Sequence, residues 1–189
     1  ICSHARLNFK HLRDGMLNGN DFQRITQTAG KLHKAPLFVD DTPALSILQV
    51  RAKARRMQSQ HGVKLIVIDY LQLLHSTSRR ASDNRQQEVA EISSGIKSLA
   101  KELSVPVIVL CQLNREMERE KSRKPRLSDL RESGSIEQDA DLVGLLYKAY
   151  SEDGDEASYD ESDGMPINLL LAKQRNGPTG DVPLVFLKQ

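Results

Sequence analysis

The sequence predicts an α/β fold, a mostly parallel, twisted sheet with flanking helices and a C-terminal antiparallel hairpin. Three observations carry this. Short apolar, β-branched runs alternate along the chain with segments of helical periodicity. The runs at 64–69 and 105–110 are continuous rather than alternating, the pattern of strands covered on both faces. The last two runs, Ile167–Ala172 and Val182–Leu187, are separated by a Gly-Pro-Thr-Gly turn, and 176–181 is too short for a crossover helix.

The elements follow in order. After a short apolar run at Leu37–Asp40, Ser46-Ile-Leu-Gln49 is a capping-box pattern, and Ile47, Val50, Ala54 and Met57 then share one helical face. His61-Gly62 stops that helix, since glycine readily takes the left-handed conformation that ends one. Lys64-Leu-Ile-Val-Ile-Asp69 reads as a buried strand. A polar stretch, His75–Asn84, precedes a second helix that Asp83 and Gln86 can cap, with Val89, Ile92, Ile96, Leu99 and Leu103 at helical spacing. Val105–Leu110 is the next strand, and Pro106 suits its start rather than its interior. Leu142–Tyr147 is a third strand run. The acidic stretch 151–164 reads as a surface insertion, with seven acids and no base between Glu152 and Asp163.

Composition bounds the rest. The 189 residues suit one compact domain, with 39% hydrophobic and 28% charged residues. No run approaches the ~20 apolar residues of a membrane span, and no signal-peptide pattern opens the chain, so no membrane partner is expected. Ile1 is not a natural start, and an N-terminal portion is expected to be missing. Cys2 and Cys111 are far apart with no Cys-x-x-Cys, which fits a reducing, cytoplasmic compartment, and Cys111 reads as a small buried hydrophobe. Net charge is +2, but seven basic residues (Arg115, Arg119, Lys121, Arg123, Lys124, Arg126 and Arg131) gather against four acids in 115–131. Such a segment can track phosphates or simply be a solvated loop.

In open parallel sheets ligands collect beyond the carboxyl ends of the strands. Asp69 and Gln112 both stand there, each directly after or close behind an apolar run, on strands joined by one helix. A carboxylate there can hold Mg²⁺ through water, and a neighbouring glutamine can hydrogen-bond a terminal phosphate. The plainer alternative is that Asp69 caps a strand and Gln112 opens a loop. Lys173 and Arg175 alternate with Ala172 and Gln174 at a strand end, so both point to one side.

Four motifs in order then point to a family. Lys64-Leu-Ile-Val-Ile-Asp-Tyr-Leu-Gln-Leu-Leu74 resembles the Walker B strand of DnaB-type replicative DNA helicases, and Val109-Leu-Cys-Gln-Leu-Asn-Arg115 resembles their sensor strand. Leu127-Ser-Asp-Leu-Arg-Glu-Ser-Gly-Ser-Ile-Glu-Gln-Asp-Ala-Asp141 is similar to their DNA-loop motif, and Ala172-Lys-Gln-Arg-Asn-Gly-Pro-Thr-Gly180 to their trans-acting finger. The resemblance implies that residues 1–189 are the C-terminal portion of one RecA-like ATPase domain, part of a motor that uses ATP and Mg²⁺. It further implies translocation on single-stranded DNA in a homo-hexamer that meets a primase and a helicase loader. Residue by residue, it makes Asp69 the metal-organising aspartate, Gln112 the γ-phosphate sensor, and Lys173 and Arg175 the pair reaching a neighbouring subunit's ATP. Arg131, Glu132 and Gly134 correspond to the DNA loop, and Arg79, Arg80 and Arg85 are candidates for a second one. Gly134 makes physical sense, because a residue without Cβ lets a phosphate approach the backbone. Aromatic residues are 4% overall, with none near that loop, which favours backbone tracking over base readout.

The chain also departs from the family pattern. It contains no G-x-x-x-x-G-K-[ST] phosphate loop, and the family's catalytic glutamate falls upstream as well. These residues alone are therefore expected not to hydrolyse ATP. Two other readings stay open at this level: a RecA-like recombinase or clock-type ATPase, and a non-enzymatic partner-binding module derived from such a motor.

Overall fold

The computed structural model describes residues 1–76, 84–114, 123–130, 134–149 and 164–187. The chain divides into two compact units, one built around Ile1–Asp41 and the other running from Thr42 to Leu184, apart from a stretch ending at Pro166.

The first unit is helical. It holds α1 (Cys2–Ala5), α2 (Phe9–Arg13) and α3 (Gly19–Lys34), with α1 packed on α3. Asn18 starts α3 through a reciprocal capping box: its side chain accepts from the Asp21 N–H at 2.9 Å, and the Asp21 carboxylate accepts from the Asn18 N–H at 3.1 Å. Ala5, Leu7 and Thr28 are buried there. The Leu37–Asp40 run forms no helix or strand.

The second unit carries the sequence-predicted α/β core. Helix α4 (Ile47–His61) begins at the expected Ser46–Gln49 capping box and ends at Gly62, whose φ of 61° is the left-handed cap that glycine allows. Strand β1 (Ile66–Ile68) runs parallel to β2 (Val107–Val109), with Ile66 opposite Val107 and Ile68 opposite Val109. Between them lies α5 (Arg85–Leu103), capped by Asn84, which accepts from the Gln86 N–H. Asp83, the expected cap, lies outside the described residues.

One apolar layer unites these elements. Ile47, Ile68, Leu71, Leu74, Val89, Ile92 and Ile96 are buried together, and Ile66, Val107 and Val109 pack against them. Each such side chain contributes about 1.5–3 kcal/mol of transfer free energy. The α4–α5 contact is close: a Cβ on Gly95 would stand 2.5 Å from Ile47 Cγ1, so only glycine fits at that crossing without displacing Ile47.

The expectation that β1 and β2 are covered on both faces holds for one face only. Leu65, Val67, Ile108 and Leu110 are about half exposed on the other. A continuous β-branched run reports a residue preference shared by both faces, and it does not report what packs on each.

Strands β3 (Leu142–Lys148), β4 (Met165–Gln174) and β5 (Gly180–Phe186) form a separate sheet in the order β3-β4-β5. β3 pairs antiparallel with β4, with a register irregularity between Val143 and Gly144. The antiparallel C-terminal group thus includes β3 as well as the expected hairpin strands. Helix α6 (Gly134–Asp139) precedes β3 and packs against α5.

Candidate functional site

At the carboxyl edge of the parallel pair the hydrogen-bond ladder outlasts the strands. Leu110 donates to the Ile68 carbonyl at 2.9 Å, and its own carbonyl accepts from the Leu71 N–H at 2.9 Å. Asp69 and Tyr70 are bracketed between these two bonds and leave the ladder together, joined by a cis peptide. The Asp69 carboxylate is exposed, with no hydrogen bond or ion pair among the described residues.

Gln112 is held to the same edge through its backbone. The Gln72 side-chain amide donates to the Gln112 carbonyl at 3.2 Å, and its oxygen accepts from the Gln112 N–H at 3.4 Å. A side chain thus does the work of a third strand residue, fixing the Gln112 main chain and leaving its side chain exposed. Gln72 also donates to Cys111 Sγ at 3.2 Å, and burial pushes the Cys111 thiol up, so it stays neutral and packs as a partly buried apolar group. The Gln72 carbonyl accepts from Arg85 at 3.4 Å, and Arg85 pairs with Glu88 at 2.5 Å. Burial raises the Glu88 pKa, but Arg85 and the Ser76 N–H outweigh it, leaving Glu88 below its ordinary value. Arg85, a candidate for a DNA loop, therefore sits on the first turn of α5 and braces Gln72. Arg79 and Arg80 lie outside the described residues.

Two residues past Gln112 a backbone bond joins the chain to the start of the DNA-loop motif. The Asn114 N–H donates to the Asp129 carbonyl at 3.0 Å. The Asp129 carboxylate, buried, accepts from both terminal nitrogens of Arg123 at 2.8 Å and from the Arg126 N–H at 2.7 Å. The Arg123 guanidinium holds this carboxyl below the usual carboxylate range. Leu113 and Leu127 pack on buried Leu130, Val143 and Leu145. Two basic residues read as phosphate trackers are thus engaged within the chain, Arg123 on Asp129 and Lys124 on Asp181 at 2.7 Å. Arg115, Arg119 and Lys121 lie outside the described residues, as do Arg131, Glu132 and the acidic stretch before Gly164. Gly134 is exposed at the start of α6, and a Cβ there would meet nothing within 4 Å.

Lys173 lies near the end of β4 and Arg175 just past it, and both turn to the far end of α6. Lys173 Nζ donates to the Glu137 carbonyl and, at 3.4 Å, to the Gln138 carbonyl. Arg175 donates to the Gln138 carbonyl at 3.1 Å and pairs with Asp141 at 3.2 Å. Cations at the carbonyl end of a helix satisfy its unpaired acceptors and its negative dipole end. The structure therefore places Asp69 and Gln112 on one strand edge, and Lys173 with Arg175 on one helix end, with Gly134 at the opposite end of the helix these cations cap. Among the described residues no hydrogen bond or ion pair joins Asp69 or Gln112 to the two cations. Sequence reasoning misses Gln72, Lys97, Asp129 and Asp141. Gln72, Asp129 and Asp141 are visible as motif residues and Lys97 is not, whereas the pairings of all four leave no signal in the sequence.

A family model for the DnaB-like helicase C terminal domain matches residues 1–189, the whole chain. The chain belongs to this family. It is 46% identical over 189 residues to a replicative DNA helicase DnaB of Geobacillus stearothermophilus, all of this chain and 40% of that protein. Identity is 44% over the same length to a replicative DNA helicase DnaC of Bacillus subtilis (strain 168), again 40% of that protein. The chain thus spans about 40% of the curated relatives it matches. Among solved structures, a DnaB-like replicative helicase described with its interactions with primase superimposes with a TM-score of 0.85 at 32% identity, over 98% of this chain and 44% of that one. A second solved structure, described as an ATPase domain, gives 0.83 at 31% identity, over 98% and 64%. These relatives share the RecA-like architecture of a helicase ATPase domain.

A single exposed carboxylate could hold a hard cation only together with its substrate. Among the described residues no three His, Cys, Asp or Glu side chains gather as a ready metal cage. Mg²⁺ characteristically takes one or two carboxylates and completes its shell with water and nucleotide phosphates, and the exposed Asp69 carboxylate suits that role.

Proposed function

We propose that this chain supplies part of the ATP-driven motor of a replicative DNA helicase, which moves along single-stranded DNA and unwinds duplex at the fork. Both units belong, in this reading, to one RecA-like ATPase domain of a cytoplasmic homo-hexamer that engages a primase and a loader. The supporting observation is the shared edge of β1 and β2, where an unpaired carboxylate and an exposed glutamine stand beyond in-register strands.

Asp69 would hold the metal, and Mg²⁺ when bound would supply charge neutralisation at the nucleotide's phosphates. Gln112 would hydrogen-bond the γ-phosphate. Its loss on hydrolysis would be felt along Gln112–Asn114 and across the Asn114–Asp129 bond, into the segment before Arg131. Lys173 and Arg175 would serve the nucleotide of the adjacent subunit, placing positive charge on the equatorial oxygens as phosphoryl charge develops. Arg131, Glu132 and Gly134 would hold the DNA backbone. With no phosphate-loop motif in these 189 residues, hydrolysis by this stretch alone is not expected.

The test is Asp69→Ala in the intact parent protein. Loss of ATP hydrolysis and strand displacement with an assembled ring supports the reading, and unchanged hydrolysis refutes it.

A further inference from the structure

The finger reading leaves one side chain without an assigned role. Asp141 lies between α6 and β3, and its side chain is 63% exposed. An exposed ion pair contributes little or nothing measurable to folding, so stability alone does not explain a carboxylate that two cations share. Its geometry is directed instead at the root of the finger. One carboxylate oxygen, Oδ1, meets Arg175 Nη1 at 3.2 Å. The other, Oδ2, accepts from Lys97 Nζ of α5 at 2.5 Å. The Asp141 backbone carbonyl accepts from the Arg175 N–H at 2.9 Å, so the same residue grips Arg175 by main chain and side chain. Arg175 Nη2 rests on the Gln138 carbonyl at 3.1 Å.

These contacts fix the guanidinium from one side. A guanidinium has five N–H donors, and four of them sit on the two terminal nitrogens. The hydrogen bond to the Gln138 carbonyl engages one donor on Nη2 and Asp141 stands beside Nη1 as an ion pair, leaving Nε–H and further N–H groups on the terminal nitrogens for a phosphate. Lys97, only 21% exposed, ties the carboxylate to the longest helix of the unit, so Asp141 is itself braced. Lysine rather than arginine suits that position, because a compact ammonium can hold one oxygen while the other stays with Arg175.

We infer that Asp141 is a positioning residue for Arg175, anchored through Lys97 to α5, and that it sets the direction in which the finger leaves β4. This rests on the finger reading of Arg175. Positioning errors of about an ångström cost up to roughly a hundredfold in rate, and a partial loss of restraint costs less. Asp141→Asn in the intact protein should lower kcat for ATP hydrolysis on the order of tenfold. KM, nucleotide affinity and ring assembly should stay within about twofold, because Asp141 touches neither substrate nor the metal-bearing edge.

The deciding experiment is a double-mutant cycle with Arg175→Ala, read by single-turnover hydrolysis. If Asp141 acts through Arg175, adding Asp141→Asn to Arg175→Ala produces no further loss. Lys97→Met, reaching the same carboxylate from α5, should give a smaller loss that also vanishes in the Arg175→Ala background. A loss of equal factor in both backgrounds, or a single-variant kcat within twofold of wild type, overturns the positioning role. Full hydrolysis by Arg175→Ala itself would instead overturn the finger assignment, a separate outcome from the same data.

Discussion

The edge that bears Asp69 and Gln112 and the strand end that bears Lys173 and Arg175 are built on opposite principles. At the first, the backbone is fixed and the functional side chains are exposed: Gln72 clamps the Gln112 main chain, and the Asp69 carboxylate has no described partner. At the second, the side chains themselves are engaged, on the last carbonyls of α6 and on Asp141. A group that meets its ligand within its own subunit gains from standing ready and unpaired, since every prior partner must be given up on binding. A cation that in the proposed reading serves a neighbouring subunit is steadied by contacts in its own, which offset its charge and leave N–H donors free for a phosphate. The difference is what a site completed only by assembly would produce.

Substitutions at the two ends probe this contrast. The largest effect is expected from Asp69→Ala, which should reduce ATP hydrolysis by the intact protein to background while leaving the ring assembled. Arg175→Ala should follow, cutting hydrolysis by roughly 10³-fold with nucleotide binding nearly intact. Equilibrium binding of a fluorescent nucleotide separates these, and loss of binding in an assembled ring would contradict the trans role.

Helix α6 carries the second of these ends, and Gly134 tests it. Alanine fits the open space there, and alanine favours a helix over glycine by about 1 kcal/mol. Gly134→Ala should therefore keep or slightly raise thermal stability while weakening single-stranded DNA binding. Arg131→Ala should weaken it too, with little dependence on base sequence, as backbone contacts dictate. Strong sequence dependence in fluorescence anisotropy would count against a backbone grip.

The smallest expected effect concerns the link between the ends. Asp129→Ala removes a buried carboxylate that accepts from Arg123 and Arg126, and should cost about 1.5–3 kcal/mol in urea unfolding. Because Arg123 lowers the folded-state pKa of Asp129, its contribution is full above the ordinary carboxylate range near pH ~4. It is lost as pH falls through the lowered folded value. The gap between wild type and Asp129→Ala should therefore be constant from neutral pH to about 5 and narrow only in stronger acid. A gap that closes near pH 6 would assign the effect to another group.

What the sequence makes legible follows from the range of the interactions. Helices α4 and α5 announce themselves by periodicity and by caps formed within three residues, and β1 and β2 by β-branched runs. The candidate residues Asp69, Gln112, Lys173 and Arg175 stand out as motifs placed at strand ends. Asp141 and Lys97 are 44 positions apart, and Gln72 and Gln112 are 40 apart. A pairing across such distances leaves no local pattern, since a lysine on a helix face and an aspartate before a strand look like ordinary surface charges. The exposed face of β1 and β2 escapes for a related reason, because periodicity describes the strand and not its surroundings. Helices α1–α3 are absent from the sequence reading, although the Asn18–Asp21 cap lies in plain sequence.

In the proposed reading one chain carries two half-sites serving different nucleotides. Rings assembled from a mixture of Asp69→Ala and Arg175→Ala proteins test it most directly. Where an Arg175→Ala subunit faces the intact finger of an Asp69→Ala subunit, an undamaged site is restored. Mixed rings are predicted to hydrolyse ATP well above the sum of the two proteins measured separately. Rings shown to be mixed that hydrolyse no more than that sum would contradict the account.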